Sequence, residues 1–331
     1  MAESTLSYGH TDLMKEVAYY LGYSRDSADW SSDETSLLGD IVNQGTQQAY
    51  YPPAHVAGPH EWSFLRPTTT ITAWPTSTST LNGGPSKDNG TTTVTVDDAI
   101  FYDSMVGKSL AVTDGSSYTI TSVTSTTVCV VSGDASGEAN GATVTITANG
   151  DYRLPDDFGG IEGDLTYAAA DDQLHTVPVI GEGQIRTMRQ SDPSTNAPLY
   201  AAVKPLTTDG SDGQRFDLMV VPTPDDTYTL GYRYNVLPDA LTSGNPSPYG
   251  GMPFGQVLMA SCLAVAELRD KDQSGPYMAD FEKKLAGCIE FDRRANTPDT
   301  LGYNSDESDI EPSASLTRAW NIKVTVGGVQ Y

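Results

Sequence analysis

Apolar residues recur at the three-to-four-residue spacing of amphipathic helices near both ends of the chain. Near the amino end, this pattern predicts one helix over about Thr5–Leu21 and a second from Ser31 to the residue before Pro52. Near the carboxyl end, it predicts helices over about Met252–Asp270 and Tyr277–Ala295. Two short helices cannot bury a core alone, so we expect the two pairs to pack together.

Local signals indicate how the first two helices end, begin and pack. Gly22 is placed to cap the first helix in the left-handed conformation. Ser31 and Glu34 have the spacing of a capping box, which satisfies free backbone amides at a helix start. Gly45 lies on the apolar face of the second helix, where the missing side chain would allow another backbone to approach closely.

After Arg66 and Pro67 the pattern changes to the alternation that is typical of strands. Residues 68–149 are rich in Thr, Ser, Gly and Val, and Pro75–Asn89 is predicted as a flexible loop. Turn residues separate five short strands, whose spacing predicts a small antiparallel barrel or sandwich. The predicted strands are Thr91–Val96, Ser109–Thr113, Tyr118–Val123, Thr126–Val131 and Thr143–Thr147.

Mixed β structure is predicted from Tyr152 onward. The pattern gives three strands and then a hairpin, whose turn at Pro222–Asp226 contains the residues that such turns favour. In the second hairpin strand, alternate residues from Tyr228 to Tyr234 share one face. The predicted strands are Leu165–Ala169, Val177–Ile180, Gly183–Arg189, Arg215–Val221 and Thr227–Tyr234.

The last part of the chain, residues 304–331, is predicted as an extended tail that begins with acidic residues. It contains the sequence WNIKVTV, in which Trp320, Ile322, Val324 and Val326 share one face. A strand of this kind needs a sheet to join. Two alternatives are open: the sheet of its own subunit, or the sheet of another subunit by strand addition.

These patterns predict an α+β fold, in which a split four-helix bundle carries a mixed β region and an inserted antiparallel β barrel or sandwich module. Residues 1–67 and 150–303 would form the helical and β core, residues 68–149 the inserted β domain, and residues 304–331 the C-terminal tail with its docking strand. Trp74 is expected to pack where the insert meets the core, because a large ring in this Ser/Thr-rich setting needs burial.

Composition excludes several classes of function. The 331 residues include 19 basic and 43 acidic side chains, which give a net charge of −24. Binding to nucleic acid or to an anionic membrane needs basic residues, so neither is expected. No signal peptide and no apolar run of roughly 20 residues is recognised, so we expect folding in a cytoplasm. The three cysteines are far apart and are predicted to be buried thiols rather than a disulfide framework.

Patterns that indicate catalysis or metal binding are weak. His55, His60 and Glu61 resemble a metal site, but their spacing in a Pro/Gly loop lacks the helical geometry of zinc hydrolases. Paired carboxylates such as Asp97 and Asp98 are expected in turns, with a glycosidase pair or a Ca²⁺ loop as alternatives. The sequence predicts no enzyme, no catalytic residue, no cofactor and no metal ligand.

Five strings of residues resemble the head-to-tail adaptor, or connector, proteins of tailed bacteriophages. These strings are QGTQQAYYPP, HEWSFLRP, YRLPDDFGGIEGDLTY, YTLGYRYNVLPDAL and SCLAVAELRD. The resemblance covers about residues 5–67, 150–240 and 252–303, and it depends on structural residues rather than on a catalytic signature.

The resemblance implies a structural virion protein of the neck that is assembled in the host cytoplasm. Proteins of this family form a ring, usually of twelve subunits, beneath the portal protein. The ring links the head to the tail or neck, extends the channel that DNA crosses without specific binding, and supports a downstream neck or tail protein. The C-terminal segment commonly docks on the portal. Here the candidate residues for contact with the portal or a neighbouring subunit are Trp320, Ile322, Val324, Val326 and Tyr331.

An alternative function is a binding module, in which the inserted β domain recognises carbohydrate or a host receptor. This hypothesis needs exposed aromatic side chains that stack on sugars, and Tyr102 and Tyr118 are the candidates. Packing of both rings against the strands is the competing interpretation.

Overall fold

The structure, a computed structural model, describes residues 4, 6–88, 90–171, 173, 175–208 and 213–295 together with two short backbone segments, Thr325–Val326 and Val329–Gln330. The chain divides into two compact units. The first consists of Met1–Phe64 and Ala240–Tyr331, and the second consists of Leu65–Asp239.

Helices form most of the described part of the first unit. Within the described residues the α-helices are α1 (His10–Tyr20), α2 (Ser32–Tyr50), α3 (Ala54–Ala57), α4 (Glu182–Ser191), α5 (Gly251–Lys271) and α6 (Pro276–Ala295). Only α4 belongs to the second unit. The apolar pattern predicted α1, α2, α5 and α6 to within a few residues, but it predicted a strand where α4 lies.

The local signals of the first two helices act as predicted. Gly22 follows α1 with a φ of 83°, the left-handed conformation in which glycine costs least. The Ser31 hydroxyl accepts a hydrogen bond from the Glu34 amide, and Glu34 Oε2 accepts one from the Ser31 amide at 2.8 Å. This reciprocal pair is the predicted capping box at the start of α2.

α5 is the central helix of the first unit, because it contacts α1, α2 and α6. It is long and apolar enough to cross a membrane, so the prediction that no apolar run approaches that length was wrong. In the fold, 67% of its most apolar window is buried, and a core helix has the same composition as a spanning one.

α5 approaches α2 closely at Gly45. A Cβ atom at this position would lie 2.7 Å from the Cα atom of Cys262. The Ser261 hydroxyl donates a hydrogen bond to the Gly45 carbonyl at 2.7 Å, and both Ser261 and Cys262 are fully buried. The predicted role of Gly45 in close helix packing is therefore confirmed.

The described strands are short and mostly antiparallel. They are β1 (Thr68–Ala73), β2 (Ser77–Thr80), β3 (Ser86–Asp88), β4 (Thr91–Thr95), β5 (Ser109–Val112), β6 (Ser117–Ser125), β7 (Val128–Ser132), β8 (Thr143–Ile146), β9 (Asp151–Arg153), β10 (Phe158–Tyr167), β11 (Thr176–Val177), β12 (Tyr200–Pro205), β13 (Phe216–Val221), β14 (Tyr228–Val236), β15 (Thr325–Val326) and β16 (Val329–Gln330).

Seven strands form one sheet in the order β2-β8-β5-β6-β7-β4-β3. All five strands predicted between residues 91 and 147 are present in this sheet. A bridge between Leu81 and Val96 connects the end of β2 to the end of β4, so six of the seven strands follow one another around a ring. The segment Pro75–Asn89 was predicted as a flexible loop, which was wrong, because it contains β2 and β3.

Two smaller sheets share a core with the seven-stranded sheet. Their strand orders are β1-β14-β10-β11 and β12-β13-β9. Trp74, which is fully buried, makes an edge-to-face contact with Tyr152 at 5.3 Å between ring centroids. The Tyr152 hydroxyl donates a hydrogen bond to the Trp74 carbonyl at 2.7 Å. This contact joins the Ser/Thr-rich segment to the following strands, as expected for Trp74.

The predicted hairpin between residues 215 and 234 was wrong. β13 pairs with β12 and β9, whereas β14 pairs with β1 and β10, so the two strands belong to different sheets. The residues are strands as predicted, but burial selects the partners. Alternate residues of β14 from Tyr228 to Val236 are buried, and most of them belong to the apolar core that the three sheets share.

The predicted fold class was also wrong. We expected a split four-helix bundle that carries β modules, but the described residues are rich in antiparallel β structure. The sheets of seven, four and three strands build a unit with a continuous apolar core of its own. The helix pattern was over-weighted because Thr-rich strands contain few apolar residues, although each contributes one or two to that core.

Candidate interaction surfaces

The residues predicted to contact the portal or a neighbouring subunit lie in the C-terminal tail. Trp320, Ile322, Val324 and Tyr331 are outside the described residues. Val326 is described by its backbone alone, and it pairs with Val329 in the short antiparallel ladder of β15 and β16. The role of these five residues stays a prediction.

The aromatic stretch that follows α2 forms a compact cluster in the first unit. Trp62 is buried, and its indole N–H donates a hydrogen bond to the Ala49 carbonyl at 3.1 Å. The Trp62 ring lies 4.7 Å from the Phe254 ring and 5.3 Å from the Phe64 ring, measured between centroids. Tyr50 stacks on Phe254 at 5.8 Å. These contacts attach the loop after α2 to the start of α5.

The histidines of the proposed metal cluster have separate partners. His60 Nε2 lies 3.0 Å from Asp292 Oδ2, and Ser63 donates hydrogen bonds to the same carboxylate. His55 Nε2 lies 3.5 Å from Glu282 Oε1. Within the described residues, no group of three or more His, Cys, Asp or Glu side chains could hold a metal ion. The His60–Asp292 contact instead connects the aromatic loop to α6.

The paired carboxylates of the second unit accept hydrogen bonds from hydroxyl groups of the same unit. Asp97 accepts one from Thr80, and Asp98 accepts one from Ser79 at 2.9 Å. Asp225 accepts one from the Tyr228 hydroxyl at 2.8 Å. Asp97 and Asp98 thus bond hydroxyls of β2, 17 and 19 residues away, rather than the neighbouring backbone as expected for carboxylates in turns.

A buried carboxylate connects α4 to the three-stranded sheet. Asp151 is 6% exposed and lies 2.7 Å from Arg189 Nη1 and 3.0 Å from Lys204 Nζ. Burial alone would raise the pKa of Asp151, but the hydrogen bonds and charges of Arg189 and Lys204 outweigh it and leave this pKa lowered. Arg189 also donates to the carbonyls of Gly150 and Val220. This network positions α4 against β9 and β13.

A second ion pair connects the seven-stranded sheet to the three-stranded sheet. Lys108 precedes β5, and its Nζ lies 3.1 Å from Asp217 Oδ2 on β13. Their side chains are 13% and 7% exposed, so water screens this pair weakly.

The three cysteine thiols are free; Cys129 and Cys262 are buried, and Cys288 is partly buried. Burial raises the pKa of Cys129 and of Cys262 to about 12, and it raises the pKa of Cys288 to about 11. Protonated thiols of this kind are poor nucleophiles and poor metal ligands. The predicted structural role of the cysteines agrees with these positions.

Neither tyrosine proposed as a sugar platform is fully exposed. Tyr102 and Tyr118 are half-buried and pack against the apolar core of the second unit. The Tyr118 hydroxyl donates a hydrogen bond to Glu138 Oε1 at 2.5 Å. That bond and partial desolvation raise the pKa of Tyr118. The rings are held by the fold, so these residues do not support recognition of carbohydrate.

A groove of about 850 Å³ opens on the second unit, and we call it the β1 groove. Residues 69–72 of β1 form one wall, and residues 121–126 form another, most of them in β6. Phe101 and Tyr232, which are 1% and 2% exposed, contribute to its floor. β1 was not among the predicted strands, although the alternation of Ile71 and Ala73 with threonines was a signal for it.

Several large apolar side chains are exposed on both units. On the helices of the first unit they include Tyr19, Met252, Leu268 and Phe291, and in the second unit they include Met188, Leu199, Tyr200 and Leu237.

Comparison with protein families gives one finding. A family model described as SU10 adaptor protein matches residues 130–302, which are 173 of the 331 residues. The match begins in β7 and includes α4, β8 to β14, α5 and α6. No curated protein matches the chain.

Proposed function

Because this chain belongs to the SU10 adaptor protein family, we propose that it forms a ring beneath the phage portal, links the head to the tail or neck, and extends the DNA channel. The family establishes the broader role: the chain is a phage structural adaptor, a virion component that interacts with other virion proteins. The ring, its position in the neck and its partners are our proposal.

The family match is the observation that carries this proposal. It includes α5 and α6 of the first unit and most of the two smaller sheets of the second. The match therefore involves both units rather than one module that unrelated proteins share. The segments outside it, α1, α2 and most of the seven-stranded sheet, are where this adaptor would differ from others.

The charge of the chain is compatible with a DNA channel. A net charge of −24 disfavours binding that depends on the release of counterions from DNA. An acidic channel wall would repel phosphates at short range, so DNA would cross it without specific binding. We propose a ring of twelve subunits that assembles in the host cytoplasm, with the portal on one side and a neck or tail protein on the other.

The function we propose needs no chemistry from the chain. The described carboxylates and histidines discussed above have structural partners, and the family is one of structural adaptors. We propose that the chain is not an enzyme and that Trp320, Ile322, Val324, Val326 and Tyr331 contact the portal or a neighbouring subunit.

The test is the mass of the purified chain in solution, alone and mixed with its portal protein, by native mass spectrometry. A closed ring, either alone or on the portal, is the expected result. A chain that stays monomeric and ignores the portal would contradict the proposal.

Deletion of Leu316–Tyr331 should leave the far-ultraviolet circular dichroism unchanged and weaken portal binding or ring formation. A matched control replaces Asn321 and Thr325, which alternate with the apolar residues, by serine. Normal assembly and portal binding by the truncated chain would exclude the tail as the contact.

A further inference from the structure

β1 is an edge strand with an open side. The Tyr234 amide donates a hydrogen bond to the Pro67 carbonyl, and hydrogen-bonded positions alternate along an antiparallel ladder. Thr69, Ile71 and Ala73 are therefore the residues of β1 whose backbone groups bond to β14. The N–H and C=O groups of Thr68, Thr70 and Thr72 therefore point away from β14. The Ser104 hydroxyl donates to the Thr72 carbonyl at 2.8 Å, and this covers one end of the edge.

The open edge lacks the features that normally protect an edge strand. Thr68 and Thr70 are exposed, and β1, with the sequence TTTITA, has no charged side chain. Proteins protect edges with charges, proline or a covering segment, because unpaired backbone groups pair readily with another strand. Within the described residues, Pro67 and the contact from Ser104 limit the edge only at its two ends.

The opposite wall of the β1 groove is also unpaired on one side. β6 pairs with β5 only up to Thr119, with further backbone hydrogen bonds at Ile120. From Thr121 to Ser125 the sheet supplies β7 alone as a neighbour. A strand in the groove would therefore lie between two open edges and above the apolar rings of Phe101 and Tyr232.

The segment Trp320–Val326 has the properties that the β1 groove requires. One face is apolar and would lie on the floor, while Asn321, Lys323 and Thr325 would face solvent. Seven residues span about 23 Å and the six residues of β1 about 20 Å, at roughly 3.3 Å per residue. The lengths of donor and acceptor therefore agree.

Charge also favours this segment. Residues 316–331 contain Arg318 and Lys323 and no acidic residue, although the whole chain carries −24. Asp103 and Asp156 are exposed at the rim of the groove, and Arg153, which also lines the groove, lies 3.0 Å from Asp156. A segment with a net positive charge would thus enter a groove whose charged lining residues, Asp103, Arg153 and Asp156, sum to one negative charge.

We propose that the β1 groove binds the Trp320–Val326 strand of the neighbouring subunit, as an added strand beside β1. This inference depends on the proposed ring and identifies its subunit contact. Residues 296–319 connect the strand to α6 and can span about 80 Å when extended, which is enough to reach another subunit. A donor strand on one subunit and an acceptor groove on the next form a head-to-tail contact, the kind that closes rings.

The experiment is disulfide cross-linking between two separately purified variants. One chain carries Thr70→Cys, whose side chain lies on the solvent-facing side of β1. The other carries Asn321→Cys, Lys323→Cys or Thr325→Cys, because same-face neighbours on adjacent strands have Cβ atoms about 5 Å apart. Ile322→Cys and Val324→Cys are the matched controls, since they would face the groove floor.

The expected result is a covalent dimer from the mixture, at least ten times more abundant for one of the solvent-face positions than for the controls. The parent chain, with its three native cysteines, should give none. A third chain carries both introduced cysteines. A cross-link that forms only within this chain would show that the groove binds the tail of the same subunit, and it would overturn the proposal. Equal yields of the covalent dimer from the solvent-face cysteines and from the control cysteines would also overturn the proposal.

The mass of the assembly is measured in the same samples, with portal added if the chain alone is monomeric. A ring without the cross-link would overturn the strand contact and leave the proposed function standing. The absence of any ring would contradict both. As a second variant, Thr70→Pro removes the outward amide and should reduce ring formation at least tenfold, whereas Thr70→Ser should not. A thermal melt checks that Thr70→Pro is folded, and an unchanged ring in that folded variant would also overturn the contact.

Discussion

The Gly45→Ala substitution tests how tightly α2 and α5 pack. The new methyl group would lie 2.7 Å from Cys262 Cα, 2.8 Å from Cys262 N and 2.8 Å from Cys262 Sγ. Carbon atoms in contact lie about 3.5–4.0 Å apart, so the two helices would have to separate by roughly 1 Å. Truncation of Cys262 would not relieve the clash, because two of the three atoms belong to the backbone.

The magnitude follows from opposing effects. Overpacking of a core costs about 1–3 kcal/mol, and weakening the buried Ser261 to Gly45 hydrogen bond costs about 1 kcal/mol more. Alanine returns about 1 kcal/mol through its higher helix propensity. We expect Gly45→Ala to lower the free energy of unfolding by about 1–3 kcal/mol.

Gly39→Ala is the matched control in the same helix. No atom lies within 4 Å of the position its Cβ would occupy, so the propensity gain should remain and stabilise the chain by up to about 1 kcal/mol. The assay is urea unfolding followed by circular dichroism at 222 nm, which mainly reports the helices. The packing argument would be refuted if both substitutions changed the free energy of unfolding in the same direction, or if the Gly45→Ala chain were as stable as the parent.

Three further predictions concern the second unit and the thiols. Asp151→Asn should lower the free energy of unfolding by about 2–4 kcal/mol at neutral pH, because Arg189 and Lys204 lose their buried partner. The pKa of Asp151 is lower in the folded chain than its ordinary value of about 3.9. Asp151 therefore contributes its full stabilisation above that ordinary pKa, and this stabilisation is lost as the pH falls through the pKa of the folded chain. Urea unfolding between pH 3 and pH 7 should therefore show a smaller acid-dependent loss in the variant, and identical profiles would contradict the role of this network. Lys108→Met should destabilise the second unit by about 2–4 kcal/mol, because it leaves Asp217 buried without its cation, whereas Lys108→Arg should retain most of the stability. Equal thermal melts for the parent and Lys108→Met would contradict this prediction. The buried thiols of Cys129 and Cys262 should react with a disulfide reagent at pH 8 at least tenfold more slowly in the folded chain than in denaturant, with Cys288 the first thiol to be labelled. Fast labelling of all three thiols in the folded chain would show that Cys129 and Cys262 are not buried.

Elements whose signals are local could be predicted from the sequence. The capping box of Ser31 and Glu34, the cap at Gly22 and the close approach at Gly45 each depend on neighbouring residues or on one helix face. The α5 pattern is long enough to exclude a strand. Locating these elements did not require knowledge of their partners.

Elements that depend on distant partners could not be predicted. α4 has one buried apolar residue, Ile185, so no helical periodicity distinguished it from a strand. The partners of β13 and β14 are selected by burial across the unit, which alternation within each strand does not encode. The β1 groove was missed for the same reason, because its walls are about 50 residues apart in sequence.

The division of the chain has a consequence for the order of events during synthesis. α2 must wait for α5, since Gly45 and Ser261 are 216 residues apart and the whole second unit is translated between them. At about 5–20 residues per second, the 175 residues Leu65–Asp239 take roughly 10–35 s to leave the ribosome. At the end of that interval the second unit has all of its sequence, whereas α1 and α2 still lack the helix that covers their apolar faces. The nascent chain should therefore complete its β unit first and need a chaperone, if it needs one, at its earliest helices.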